Sequence, residues 1–247
     1  MSSSNKNAYL KEMGIDVWIE RRPALKNTEV ELPATEIVTP IISTSPEIAE
    51  AVALDSVAAI SVESLGWQEL AKQVSECQLC ELSKTRKQTI FGEGSQKAAL
   101  MIIGNAPTVE DEQQGNMFSG EPGKLLTAML KAMGYQRNDV YVSSIVKCKT
   151  HENQEPSEEQ ASSCEAYLLR QISLLKPKLI LALGNAAAQQ LLKSKSTMSR
   201  LRGQLHYVDN ISAPIIVSYH PTYLLAAPNE KRKAWQDLQL AMRELKL

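Results

Sequence analysis

Short uninterrupted apolar runs separated by amphipathic stretches dominate the chain from Trp67 onward. Ala98 to Gly104, Val140 to Val146, Leu179 to Gly184 and Ile215 to Ser218 read as buried strands. Gly123 to Met133, Glu158 to Leu175, Asn185 to Leu192 and Lys231 to Leu245 carry helical spacing. Strands without polar alternation, interleaved with helices, predict an α/β domain whose mainly parallel sheet is covered on both faces. Ligands of such sheets bind beyond the carboxyl ends of the strands, so the loops there are the place to look for chemistry.

The first 66 residues are patterned differently. Tyr9, Leu10 and Met13 share a helical face that Gly14 ends, and Ile15, Val17, Trp18 and Ile19 continue as an extended apolar patch before Arg21-Arg22-Pro23. This patch, within residues 1–26, either packs back on the domain or serves as a docking peptide with Leu10, Trp18, Arg21 and Arg22 as anchors. Residues 27–66 hold seven acidic groups, no Lys or Arg, no aromatic residue, and Pro33, Pro40 and Pro46. A segment so poor in packing residues reads as an acidic, disordered linker and the whole extension as flexible.

Composition narrows the class. At 247 residues, 43% hydrophobic and 22% charged, the chain reads as a soluble globular protein. No run approaches the roughly 20 apolar residues of a membrane span, and the polar start has no signal-peptide core, so a cytoplasmic protein without membrane contact is expected. Net charge is −1, yet the linker alone carries seven of the acidic groups, which leaves the portion from Trp67 net basic.

All four cysteines fall into one pattern: Cys77 and Cys80 form a C-x2-C pair, and Cys148 and Cys164 follow at wide spacing. A tight pair beside a Lys-rich loop is a poor core pattern, and a reducing compartment favours metal binding over disulfides. The reading places Cys148 at the end of a strand and Cys164 in the following helix. Four thiolates suit zinc or an iron-sulfur cluster, and the wide second spacing tilts toward the latter.

The strand-end loops are rich in small and polar residues. Gly104-Asn105-Ala106-Pro107-Thr108 follows the first strand, and Phe118, one of only two phenylalanines, lies in the next loop. It either seals the core or offers a stacking face. His220 stands in Ser218-Tyr219-His220-Pro221, where proline ends the strand and aims the imidazole outward.

Taken in order, C-Q-L-C-E-L-S-K-T-R-K-Q-T-I-F-G-E-G, G-N-A-P-T, G-N-M-F-S-G-E-P-G-K-L-L, I-V-K-C, C-E-A-Y-L, L-R-G and Y-H-P-T-Y-L-L resemble the type-4 uracil-DNA glycosylases, across residues 67–247. The resemblance implies a three-layer glycosylase-like fold, DNA as partner, excision of uracil, and a [4Fe-4S] cluster on Cys77, Cys80, Cys148 and Cys164. It also implies that Phe118 stacks on the flipped base and that His220 and the backbone near Ala106 stabilise the departing uracil. Lys84, Arg86 and Arg202 read either as phosphate contacts or as a solvated charged face. Two departures stand out. Asn105 replaces a carboxylate in the family's G-E-A-P-G, whose final glycine is Thr108 here, and Ser144 replaces the asparagine that reads the uracil edge. Asparagine orients water without taking its proton, so these changes imply a weakened or altered site.

Residues 9–25 are similar to the start of the psi subunit of bacterial DNA polymerase III, whose N-terminal peptide docks on the chi subunit. That resemblance implies an alternative function: a catalytically weak or inactive psi-like subunit of the clamp-loader complex with chi as partner.

Overall fold

Two interleaved sets of apolar side chains build the sheet. In the computed structural model, which describes residues 62–246, six strands are present: β1 (Glu93–Gly94), β2 (Leu100–Gly104), β3 (Tyr141–Ser144), β4 (Leu179–Leu183), β5 (Leu205–Val208) and β6 (Ile211–Ser218). Their order is β1-β3-β2-β4-β6-β5. The inner four are parallel and the two edge strands antiparallel. Register places Ile102 beside Val142 and Leu181, and Leu181 beside Ile216.

The helices are α1 (Trp67–Glu76), α2 (Leu82–Thr85), α3 (Val109–Gln114), α4 (Gly120–Ala132), α5 (Glu158–Leu175), α6 (Asn185–Leu192), α7 (Met198–Leu201), α8 (Pro221–Ala226) and α9 (Lys231–Leu245). Because side chains alternate along a strand, Leu100, Ile102, Leu179, Leu181 and Ile216 face α4 and α9. Met101, Ile103, Ile180, Ala182 and Val217 face α5 and α6 on the other side. This is the three-layer arrangement that the apolar runs predict. Among the described residues no helix is long and apolar enough to cross a membrane.

Helix boundaries at α5, α6 and α9 coincide with the sequence reading, and those of α5 are marked by local caps. Ser157 caps α5 by accepting from the Gln160 amide at 3.2 Å while the Gln160 side chain accepts from the Ser157 amide at 3.0 Å. Lys176, at φ 51°, ends the same helix just before Pro177. Other expectations need correction. The strand expected over residues 140–146 stops at Ser144, so Cys148 lies beyond it in the following loop. β6 starts at Ile211 rather than Ile215, and its partner β5 is an unpredicted edge strand. Pro214 inside β6 and the mixed polarity of β5 hide both from a pattern reading.

The docking peptide at residues 1–26, including Leu10, Trp18, Arg21 and Arg22, lies outside the described residues, as does residues 27–61 of the expected linker. Its last part, residues 62–66, belongs to the fold instead. Leu65 is buried with Leu70, Val74 and Tyr167, and its carbonyl accepts from Arg170 Nε at 2.7 Å.

Arg202 is also reassigned. Its guanidinium donates to both oxygens of Asp237, at 3.2 and 2.9 Å, and to the Lys233 carbonyl, and it lies 5.6 Å from the centre of the Tyr219 ring. Ser218 Oγ donates to the same carboxylate at 2.8 Å. Asp237 is fully buried. The pair therefore fastens α9 to the end of β6 and commits Nε and Nη2 of Arg202 to structural contacts. Arg202→Met should lower the unfolding free energy by about 3–5 kcal/mol in a denaturant titration, because it strands a buried carboxylate; a loss below ~1 kcal/mol would mark the pair as surface ornament.

Candidate active site

The carboxyl ends of β2, β3 and β6 surround an open pocket of about 890 Å³, whose lining includes Asn105, Ala106, Phe118, Thr150, Glu155 and His220. Asn105 follows β2 directly. Its Oδ1 accepts from the Ala187 amide at 2.9 Å, in the first turn of α6, and its Nδ2 donates to Glu155 Oε1 at 3.4 Å. The carbonyl half of the side chain is thus consumed by the helix and the NH2 half faces Glu155. Gly184, at φ 105°, permits this close approach, since a Cβ there would stand 2.7 Å from Asn105 Oδ1.

Phe118 is held in a backbone conformation that a bulky residue rarely adopts, φ 53°. Its ring packs under Gly104, where a Cβ would come within 2.7 Å of Phe118 Cζ. Its centroid lies 5.2 Å from that of His220 at an interplanar angle of 31°. The ring is nearly buried yet lines the pocket, so the two readings of this residue, core seal and stacking face, are compatible.

His220 caps α8. Its Nδ1 accepts from the Thr222 amide at 3.3 Å, which requires that nitrogen to be unprotonated and leaves the ring proton on Nε2. Burial drives its pKa down to about 4, opposed by the nearby Asp111 carboxylate. The imidazole is therefore neutral at physiological pH and is a hydrogen-bond donor without charge.

Asp111 is the residue that pattern reading undervalued. One carboxylate oxygen accepts from the Thr108 amide at 2.8 Å and the other from the Ser119 amide at 2.6 Å, so it joins the loop after β2 to the loop carrying Phe118. The visible signal was the T-x-x-D spacing, a capping box in which Thr108 Oγ1 accepts from the Asp111 amide. Thr108 has φ −87°, so glycine is not required at this position.

Ser144 does not join the pocket. It is fully buried and its hydroxyl donates to the Val146 carbonyl at 2.6 Å, turned away from the pocket lining. Neighbouring Lys147, also buried, donates to Ser143 Oγ, the Ser144 carbonyl and Gln171 Oε1 at 2.6, 2.9 and 2.7 Å. Burial lowers its pKa to about 7, against the pull of Cys164 and Cys148.

The four cysteines converge on one small cavity that Lys147, Arg86 and Tyr167 also line. None is in a disulfide. Arg86 was expected at a phosphate, but its guanidinium points inward: Nη1 donates to Cys148 Sγ at 3.1 Å and Nη2 to the carbonyls of Cys77 and Ser75 at 2.6 and 3.1 Å. Lys84 remains exposed on α2. Burial pushes the Cys164 thiol up to about 11 and raises that of Cys148, where the Arg86 hydrogen bond works in the opposite sense. Among the described residues no group of three or more His, Cys, Asp or Glu is arranged to hold a metal ion. The four cysteines nonetheless line one shared cavity, and thiolates are donors that zinc and iron-sulfur clusters both take.

The fold and the strand-end pocket define a uracil-DNA glycosylase-like protein, and residues 91–239 match the model of the Uracil DNA glycosylase superfamily. The chain is 32% identical over 184 residues to a type-4 uracil-DNA glycosylase of Archaeoglobus fulgidus, covering 72% of this chain and 92% of that protein. It is 33% identical to one of Saccharolobus solfataricus, over 69% and 82% of the two chains. With the Thermotoga maritima enzyme of the same name it shares 32% identity, over 70% and 91%. The chain belongs to the type-4 uracil-DNA glycosylase family.

The depressed pKa of His220 has a stability consequence. Between about pH 6.5 and pH 4 the unfolded chain binds a proton that the native imidazole refuses, so stability is intact above that window and falls as pH drops through it. NMR titration should place the His220 midpoint near pH 4, and His220→Gln should remove a loss on the order of 2–3 kcal/mol between those limits. A midpoint near 6.5 would contradict the neutral assignment.

Proposed function

We propose that the chain excises uracil from DNA by hydrolysing the N-glycosidic bond, as a base-excision-repair hydrolase. The observation that carries this reading is the convergence of a neutral His220, the strained Phe118 platform and Asn105 on one pocket at adjacent strand ends. A flipped uracil would stack on Phe118. His220 Nε2–H would donate to a uracil carbonyl oxygen as negative charge builds on the leaving base, and a neutral donor suits a base whose anion it must stabilise without protonating outright. The Ala106 region of the backbone lies at the same strand end and would support the same charge. Ser144 has no part in this scheme.

DNA would lie across the mouth of the pocket. Tyr223 and Leu225 on α8 are exposed large apolar side chains a few residues beyond His220, placed to meet the stack that the nucleotide leaves. Lys84 is the expected phosphate contact that is still open to solvent. Cytoplasmic residence accords with four unpaired thiols. Docking of residues 9–25 on a chi subunit is supported by the sequence of that segment alone; the psi-like alternative finds no support among the similar proteins, which include type-4 and type-5 uracil-DNA glycosylases.

Cys77, Cys80, Cys148 and Cys164 would hold a [4Fe-4S] cluster, which when bound supplies a cross-link between the loop after α1, the loop after β3 and helix α5. Arg86 and Lys147 line the same cavity and would place positive charge beside the four thiolates.

Single-turnover excision on uracil-containing single- and double-stranded DNA tests the activity. His220→Ala should slow it roughly 100-fold or more, and an unchanged rate would remove the histidine from the chemistry. Anaerobically purified protein should contain about four iron atoms per chain, and Cys148→Ala should lose iron and stability together. Protein carrying zinc and no iron would overturn the cluster assignment.

A further inference from the structure

Hydrolysis needs an acceptor for the proton of the attacking water, and the pocket offers few. Asn105 cannot serve, since its Oδ1 is committed to the Ala187 amide and its NH2 is a donor. His220 Nδ1 is committed to the Thr222 amide. Asp111 spends both oxygens on backbone amides. Glu110, on α3, is turned to the start of α4: one oxygen accepts from Gln114 at 3.2 Å and the other packs against Gly120. Glu155 is different. It is exposed at the rim of the pocket, it arrives on the loop after β3, and its carboxylate meets the free NH2 of Asn105.

We infer that Glu155 is the general base of this site, supplied from the neighbouring strand's loop, with Asn105 holding its carboxylate at the end of β2. The inference rests on the excision reading. The Asn105–Glu155 separation of 3.4 Å is long for a hydrogen bond, as catalytic contacts often are before substrate closes the site. In the step itself the water oxygen bonds to the sugar C1′ and the C1′–N1 bond breaks, its electron pair leaving with uracil. The water proton passes to the Glu155 carboxylate and is later returned to the uracil anion, so no proton is consumed. Asn105 donates to the carboxylate throughout and keeps it from turning to solvent.

The geometry of the loop is built for this. Thr150 Oγ1 donates to the Gln154 carbonyl at 2.6 Å, and Asn153 Oδ1 accepts from the Val109 amide at 3.0 Å, which pins the loop to the start of α3. Glu152 and Asn153 both take positive φ, 50° and 57°, to make the turn that presents Glu155.

The test is a set of single-turnover rates with saturating enzyme, alongside the affinity for uracil-containing DNA. Glu155→Gln should slow excision by roughly 100-fold while leaving DNA affinity within about twofold. Asn105→Asp combined with Glu155→Gln retains a donor and acceptor between the two positions with their roles exchanged, and returns a carboxylate to the strand end; it should recover at least about tenfold of the lost rate. An unchanged rate for Glu155→Gln, or a double variant no faster than the single one, overturns the assignment. A wild-type chain inactive on every uracil substrate overturns the excision reading itself and this inference with it.

Discussion

Burial of both faces of the central strands governs the rest of the molecule. Leu100 to Gly104 and Leu179 to Leu183 have no solvent-facing side chain, so the interior of the sheet has no room for polar chemistry. Polar groups can be satisfied only where the strands end and backbone amides become available. Asn105, Asp111 and His220 all follow that logic: each accepts from backbone amides at a loop or helix start, and each is oriented by doing so. The pocket is thus a by-product of how the sheet terminates, and its side chains are immobilised by the same hydrogen bonds that finish the helices.

The two chemical centres share one segment. Residues after β3 carry Lys147 and Cys148 toward the cysteine cavity and Thr150 and Glu155 toward the pocket. Lys147 is tied to Ser143, the Ser144 carbonyl and Gln171, while Gln171 in turn donates to the Phe91 carbonyl and Tyr141 hydroxyl. A buried ammonium is expensive unless every proton finds an acceptor and a negative charge lies near. Here three acceptors receive its protons, and burial still lowers its pKa to about 7. A metal group held by the cysteines would stiffen the same loop whose far end presents Glu155.

Departures from the family's motif look different once the neighbours are known. Exchanging a carboxylate for Asn105 reads along the chain as a lost base. In space the amide caps α6 with one end and meets Glu155 with the other. Thr108 in place of glycine is neutral because its φ is ordinary and its hydroxyl caps α3. Ser144 is the departure with no compensation at its own position, since its hydroxyl is turned to Val146.

The sequence by itself determined the layered α/β class, the limits of α5, α6 and α9, and the grouping of the four cysteines, because those depend on periodicity, caps and residue type within a few positions of each other. It also singled out Phe118 and His220, whose local context, a loop aromatic and a histidine before proline, is legible along the chain. What only the tertiary structure decided depends on partners far apart in sequence. Arg86 and Arg202 read as free cations until Cys148 and Asp237 were seen beside them. Glu155 carried no motif at all and acquires meaning from Asn105, on a different strand-end loop. A charged side chain is interpreted by the group that meets it, and in a parallel sheet adjacent strands are joined by long crossovers, so that group is seldom a neighbour in the chain.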